Sequence, residues 1–121
     1  MPKLLFTSNT HPLPFSDLII QNGRAYVAGQ VGFDKDDKLA DNIEDQTRQT
    51  LENLKAALQR GGLGLENIVK VGAFLTNNEN FAGFNKVYAE YFPKDKPVRT
   101  TIFCALAKPD FLVEIDAIAE L

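Results

Sequence analysis

Residues 18–31 read LIIQNGRAYVAGQV, two apolar runs separated by the polar segment QNGR at 21–24. An Asn-Gly pair between such runs is the strongest short signal for a β-hairpin, because both residues tolerate the positive φ that a two-residue turn requires. The chain is therefore predicted to enter its sheet through two antiparallel strands joined at this turn.

A helical pattern follows the polar loop at residues 32–42. Asp41 or Asn42 is a suitable N-cap for a helix that runs to about Arg60 and ends at Gly61-Gly62. Apolar or near-apolar residues recur every three or four positions, which predicts one buried helical face. These residues are Ile43, Thr47, Leu51, Leu54 and Leu58.

A strand and a second helix are predicted next. The segment NIVKVGAFL at 67–75 has the composition of a buried strand, and Asn78 or Asn80 is placed to cap a helix that runs to about Phe92. Aromatic residues fall at helical spacing along it, and such a stripe usually faces the core. They are Phe81, Phe84, Tyr88 and Tyr91.

The closing segment, PVRTTIFCALAKPDFLVEIDAIAEL at 97–121, contains two apolar runs joined by a Lys-Pro-Asp turn. The turn predicts that the two runs form a hairpin. The resulting order, ββαβαββ, predicts an α+β fold in which one sheet carries both helices on one face. The other face mixes charged and apolar residues, and an uncovered face of that kind predicts a subunit interface and a homo-oligomer.

Composition limits the function classes. With 121 residues the chain is expected to form one domain spanning 1–121, and its net charge of −3 with scattered Lys and Arg argues against a nucleic-acid partner. The single histidine, His11, and the single cysteine, Cys104, leave little basis for a zinc site or a catalytic triad. Cys104 is expected to be a buried thiol. No apolar run approaches the roughly 20 residues of a membrane span, and a cytoplasmic location is expected.

Two charged residues within the closing strands, Arg99 and Glu114, are the first candidates for a site. Charged side chains are rarely buried unless they are paired, so a charged residue within an apolar strand requires an explanation. If the strands form a hairpin, both residues would lie near one patch. A solvent-exposed cross-strand ion pair and a functional site are both consistent with this pattern.

The segment AGQVG at 28–32 is the second candidate. Glycines after a strand let backbone N–H groups approach a ligand, and Gln30 can donate or accept a hydrogen bond, although the spacings of phosphate-binding loops are absent. Asn85, beside the aromatic stripe, is either a solvated polar residue or part of a cleft. From the residues alone, no reaction can be assigned.

At these positions the chain resembles the reactive-intermediate imine deaminase family, also called the Rid or YjgF-like family. The resemblance covers nearly the whole chain, and its most specific elements are the paired P-x-R-[ST] and V-E-[IV]-[DE]-A-I-A motifs. The matching segments are AGQVGFD at 28–34, QTRQTLENLKAALQRGGL at 46–63, IVKVGAFLTN at 68–77, FAGFNKVYAEYF at 81–92 and PVRTTIFCALAKPDFLVEIDAIA at 97–119.

The resemblance implies a chorismate mutase-like subunit, a homotrimer with sites in the clefts between subunits, and no metal or cofactor. It implies hydrolysis of reactive enamines and imines, such as 2-aminoacrylate and 2-aminocrotonate, to 2-keto acids and ammonia, the activity of a 2-iminobutanoate/2-iminopropanoate deaminase. Two alternatives are a non-catalytic module of the same fold that binds small carboxylates or keto acids, and a ribonuclease that inhibits translation.

Site residues are implied position by position. Arg99 would grip the substrate carboxylate with its guanidinium fork, and Glu114 would position or activate the attacking water. Backbone N–H groups near Gly29 and Thr101 would hold substrate oxygens. Further residues of the cleft would be Gln30, Asn85 and Phe15.

Three positions depart from the family pattern. Phe15 replaces a tyrosine whose hydroxyl reaches the site, Ala28 replaces the usual serine, and Thr101 replaces a frequent cysteine. A lost polar contact in such a site costs about 1–3 kcal/mol. Phe15 and Ala28 are therefore expected to weaken the activity or shift the preferred substrate.

Overall fold

The structure, a computed structural model, describes residues 3–10 and 12–121, so His11 lies outside the described part of the chain. Six strands form one sheet: β1 (Leu4–Phe6), β2 (Leu18–Gln21), β3 (Arg24–Gln30), β4 (Ile68–Leu75), β5 (Val98–Phe103) and β6 (Val113–Glu120). Two helices, α1 (Ile43–Arg60) and α2 (Phe81–Tyr91), pack on one side of it. The strand order is β1-β2-β3-β6-β4-β5, which confirms the predicted α+β class.

The predicted hairpin is the β2–β3 pair. Leu18 lies opposite Val27, and Asn22 and Gly23 form the turn with φ values of 54° and 78°. Positive φ at both turn residues matches the right-handed twist of the flanking strands. The hairpin predicted at Asn22-Gly23 is therefore confirmed.

Helix α1 begins and ends close to the predicted residues. The Asn42 side chain accepts a hydrogen bond from the Asp45 N–H at 2.9 Å, which satisfies one unpaired donor of the first turn. Leu51, Leu54 and Leu58 are fully buried against the sheet and α2. Each such side chain stabilises the fold by about 1.5–3 kcal/mol.

The predicted hairpin of the last two strands is wrong. Strand β6 runs antiparallel between β3 and β4, and β5 pairs parallel with β4 at the edge of the sheet. Every second residue of β6 is buried from Val113 to Ala119, which is the pattern of a central strand. Exposed residues on both faces of β5 fit an edge strand. The short strand β1, with Leu4 and Leu5 exposed, was not predicted.

The face of the sheet opposite the helices, hereafter the open face, is uncovered. It exposes large apolar side chains, including Tyr26 (42%), Val98 (66%) and Ile102 (46%). A depression of about 480 Å³ lies on it, between Tyr26 and Thr100. Several large apolar side chains exposed together on one face indicate an interaction surface, and the homo-oligomer remains a prediction.

Cys104 lies one residue beyond β5 and is half-buried, so the expected buried thiol in a strand is wrong. Its N–H donates to the Leu75 carbonyl at 2.9 Å, just beyond the paired ends of β4 and β5. No helix in residues 3–10 or 12–121 is both long and apolar enough to cross a bilayer.

Candidate functional site

A β-bulge in β3 brings Gly29 against Glu114. Val27 lies opposite Ala117 and Gln30 opposite Ile115, so two residues of β3 span the single position between those partners on β6. A Cβ added to Gly29 would overlap Glu114 Oε2. Glycine is therefore required here for the carboxyl group to occupy its place.

Glu114 is half-buried on the open face and forms no hydrogen bond or ion pair within the described residues. Burial raises its pKa above the ordinary glutamate value, and the neighbouring charge of Asp116 raises that pKa further. A carboxyl group without partners and with a raised pKa is suited to accepting and returning a proton.

Arg99 is held by aromatic rings of α2. Its guanidinium carbon lies 4.6 Å from the Tyr88 ring centroid, 5.1 Å from that of Phe84 and 6.0 Å from that of Phe81. Such cation–π contacts fix the guanidinium without using its hydrogen-bond donors. Among residues 3–10 and 12–121 no carboxylate pairs with Arg99, so the fork is free to bind an anion.

Arg99 and Glu114 lie on opposite faces of the sheet. Arg99 is paired with Val71 of β4, whose side chain is fully buried under the helices, whereas Glu114 is paired with Phe74, which lines the open face. Val71 and Phe74 are three positions apart on β4, and side chains an odd number of positions apart on a strand point to opposite faces. The prediction of one shared patch within the chain is therefore wrong, and so is the cross-strand ion pair.

Phe15 and Gln30 group with Gly29. The three residues line a depression of about 570 Å³ between β3 and α1, and Phe15 is 52% exposed. The Gln30 side-chain amide donates to the Ala28 carbonyl at 3.0 Å, across the bulge. Gln30 is paired with Ile115, which is buried under the helices, so Gln30 faces the helix side of the sheet. Glu114 does not line this depression, and of the three residues only Gly29 is placed against it.

Thr101 and Asn85 group with Arg99. Thr101 lies two residues along β5 and on the same face as Arg99. Asn85 is half-buried on α2, one turn from both Phe81 and Tyr88, whose rings contact the guanidinium. The predicted residues thus form three groups: Gly29 with Glu114, Thr101 and Asn85 with Arg99, and Phe15 and Gln30 beside α1.

The sequence patterns assigned the aromatic stripe of α2 to the core and missed its contact with Arg99. Phe84 and Tyr88 are buried as predicted, whereas Phe81 is partly exposed and packs edge-on against Phe103 at 5.7 Å. The available signal was an arginine in the strand that follows an aromatic helix, since such a pair can stack when the strand returns beneath the helix.

Two polar residues of α1 that sequence reasoning did not single out fix the loops that contact this helix. The buried Gln46 amide donates to the carbonyls of Ala40 (2.7 Å) and Asp110 (3.0 Å) and accepts from the Leu112 N–H (2.9 Å). Asn53 donates to two carbonyls of the loop after β3, each at 2.8 Å. Buried amides that are satisfied in this way fix a loop conformation. In the described ranges, no three His, Cys, Asp or Glu side chains cluster as a metal site would require.

Known proteins resemble this chain over most of its length. A family model described as Endoribonuclease L-PSP matches residues 9–121. RutC family protein PH0854 of Pyrococcus horikoshii is 39% identical over 123 residues, which cover 98% of each protein.

Among solved structures, YyfA of Yersinia pestis, described as a protein of unknown function of the conserved Rid family, has a TM-score of 0.91 at 34% identity and covers 99% of this chain and 100% of its own. The structure of E. coli TdcF with bound serine has a TM-score of 0.86 at 28% identity and covers 92% of this chain and 91% of its own. The match to the L-PSP family model over residues 9–121 and the similarity to a Rid-family structure over nearly the full length show that the chain belongs to the Rid family.

Proposed function

We propose that this protein hydrolyses reactive enamines and imines of small 2-amino acids to 2-keto acids and ammonia, at sites that form between subunits. One observation carries the proposal: an arginine with a free fork and a carboxyl group with a raised pKa lie on opposite faces of one sheet. Two such groups act on one small substrate only if Arg99 of one copy meets Glu114 of a neighbour.

A homotrimer is the proposed assembly. A contact that joins one surface of a chain to a different surface of the next is heterologous, and such contacts form a ring when the rotation between neighbours closes. The apolar open face supports burial in that contact. The family resemblance supports three copies in the ring, and hence three equivalent sites.

The chemistry follows from the two groups. The Arg99 fork would bind the substrate carboxylate through two parallel hydrogen bonds, which orients C2 of the imine. An enamine would first take a proton from solvent at C3, giving the protonated imine. Glu114 would take a proton from a water molecule as the water oxygen bonds to C2 of that protonated imine, giving a neutral carbinolamine. The same carboxyl would return this proton to the nitrogen, and as the C–N bond breaks the hydroxyl proton would pass to the departing ammonia, so that ammonium leaves and the keto acid forms. No metal or cofactor is needed for this step.

The relative with bound serine supports a small carboxylate-bearing ligand. A second candidate, a non-catalytic carboxylate-binding module, is favoured by Phe15 and Ala28, which supply no hydroxyl beside Gly29. In that case Phe15→Tyr would give turnover that the wild type lacks. Ribonuclease activity is suggested by the family description, yet the net charge of −3 argues against an RNA substrate.

A complementation experiment tests the proposal. Arg99→Ala and Glu114→Ala are each expected to remove most of the acceleration of keto-acid release from 2-aminoacrylate, which a serine dehydratase generates in the assay. When the two variants are refolded together in equal amounts, random mixing restores about a quarter of the sites, because each site draws one group from each neighbour.

Recovery near that fraction supports the divided site, and the separately refolded variants mixed just before the assay are the control. An active Arg99→Ala variant, or no recovery on joint refolding, would overturn the proposal.

A further inference from the structure

Asp116 lies beside Glu114 on the open face, two residues along β6 and therefore about 6.5–7 Å away along the strand. Each carboxyl lies over a glycine of a flanking strand: Glu114 over Gly29 of β3, and Asp116 over Gly72 of β4. A Cβ on Gly72 would overlap Asp116 Oδ1. The two glycines thus leave space for two adjacent carboxyl groups.

Asp116 is fixed by the backbone. The Gly72 N–H donates to Asp116 Oδ1 at 3.1 Å, and Gly72 is paired with Asp116 across the β4–β6 ladder. A carboxylate that accepts a backbone hydrogen bond is held in place. Asp116 is therefore a fixed carboxylate next to a carboxyl group that has no partner of its own within the described residues.

Other groups that face this region do not offset that charge within the described chain. Lys70 of β4 lies diagonally from Asp116 on the open face, is exposed, and forms no salt bridge with it. Strand β3 presents Tyr26 to the open face, and β5 presents the uncharged Thr100. In the proposed assembly, Arg99 of a neighbouring copy also faces Glu114.

We propose that Asp116 is a positioning residue that controls when Glu114 carries a proton. The proposal rests on the proposed function, in which Glu114 takes a proton from water and returns it to ammonia. The Asp116 charge opposes ionisation of Glu114 and so contributes to the raised pKa of that carboxyl group. A carboxyl whose pKa is closer to the working pH is a stronger proton acceptor when ionised, and a larger share of it is protonated at that pH and able to act as the acid.

The first measurement follows the Glu114 carboxyl by NMR titration of the purified protein in wild type and Asp116→Asn. Asparagine keeps an oxygen for the Gly72 N–H but removes the charge, so the Glu114 midpoint should move to lower pH. Glu120→Gln is the matched control: it removes a carboxylate farther along the same face of β6, where Glu120 is paired with Arg24 at 3.3 Å, and it should leave the midpoint in place. An unchanged midpoint in Asp116→Asn would overturn the proposal.

The second measurement is the pH profile of kcat/KM for keto-acid release. The acid limb should move to lower pH in Asp116→Asn by the same amount as the titration midpoint. A limb that stays in place while the midpoint moves would refute the link to the reaction. An inactive wild type would refute the proposed function alone, since the titration decides the coupling of Asp116 and Glu114 without any turnover.

Discussion

Gly29→Ala is expected to damage the site while sparing the fold. The added Cβ would lie 2.9 Å from Glu114 Cδ and 3.2 Å from Cγ, with Oε2 closer still, whereas ordinary contact begins at 3.4 Å. The carboxyl carbon must therefore retreat by about 0.5 Å and the oxygen by more. Because a displacement of about 1 Å at a reacting group costs roughly a hundredfold in rate, kcat/KM should fall by up to about a hundredfold.

Stability should hardly change, for two reasons. The residue that must move is the far end of a flexible side chain, and Gly29 does not have a positive φ that alanine would strain. Alanine also lowers the entropy of the unfolded chain, which is worth about 0.4–1 kcal/mol. The midpoint of urea unfolding should therefore equal or slightly exceed that of the wild type.

The assay is keto-acid release from dehydratase-generated 2-aminoacrylate, applied to a double-mutant cycle with Glu114→Ala. In the Glu114→Ala background, adding Gly29→Ala should change the residual rate by less than about threefold, because the displaced group is already absent. Wild-type kcat/KM in Gly29→Ala, or a second full loss in the double variant, would refute the steric reasoning.

Four further changes test other contacts. Arg99→Lys keeps the positive charge but loses the planar guanidinium and its ring contacts, so KM should rise at least about tenfold with a smaller effect on kcat. An unchanged KM in steady-state kinetics would count against binding of the substrate carboxylate by Arg99. Tyr88→Phe removes a buried hydroxyl that has no hydrogen-bond partner in the described chain, so the urea midpoint should stay the same or rise. Gln46→Leu removes three hydrogen bonds at a buried position, so the free energy of unfolding should fall by about 3 kcal/mol in urea titrations. The pKa of Glu114 is higher in the folded than in the unfolded protein, so ionisation of Glu114 destabilises the fold as pH rises above the ordinary glutamate pKa. Glu114→Gln should therefore have a higher melting temperature than the wild type at pH 7, and the difference should shrink as pH falls toward the ordinary glutamate pKa.

Elements with local signals were predictable from the sequence. The turn at Asn22-Gly23 and the cap at Asn42 depend on neighbouring residues, and both are in the structure as predicted. Strand order is different, because it depends on which distant strands bury the most apolar surface. The Lys-Pro-Asp turn before β6 is local, but the alternating apolar residues of β6 place it in the centre of the sheet, away from β5.

The candidate site was predictable residue by residue but not as an arrangement. Alternation along a strand gave the residues that share a face with Arg99, and likewise those that share one with Glu114. Whether Arg99 and Glu114 lie on the same face depends on the register of β4 with β5 and with β6. A shift of one residue in either register would reverse the answer. For that reason the sequence alone did not reveal that Arg99 and Glu114 lie on opposite faces of the sheet.

The bare glycine backbone at Gly29 and Gly72 has a consequence for water supply. Neither residue projects a side chain over the open face, and the depression of about 480 Å³ extends over Gly72 and Asp116. If a neighbouring subunit covered the apolar side chains around this depression without filling it, the interface would enclose water, with room for on the order of ten molecules. The proposed hydrolysis would consume one water per turnover, so the interface would hold this co-substrate beside Asp116, two residues along β6 from Glu114.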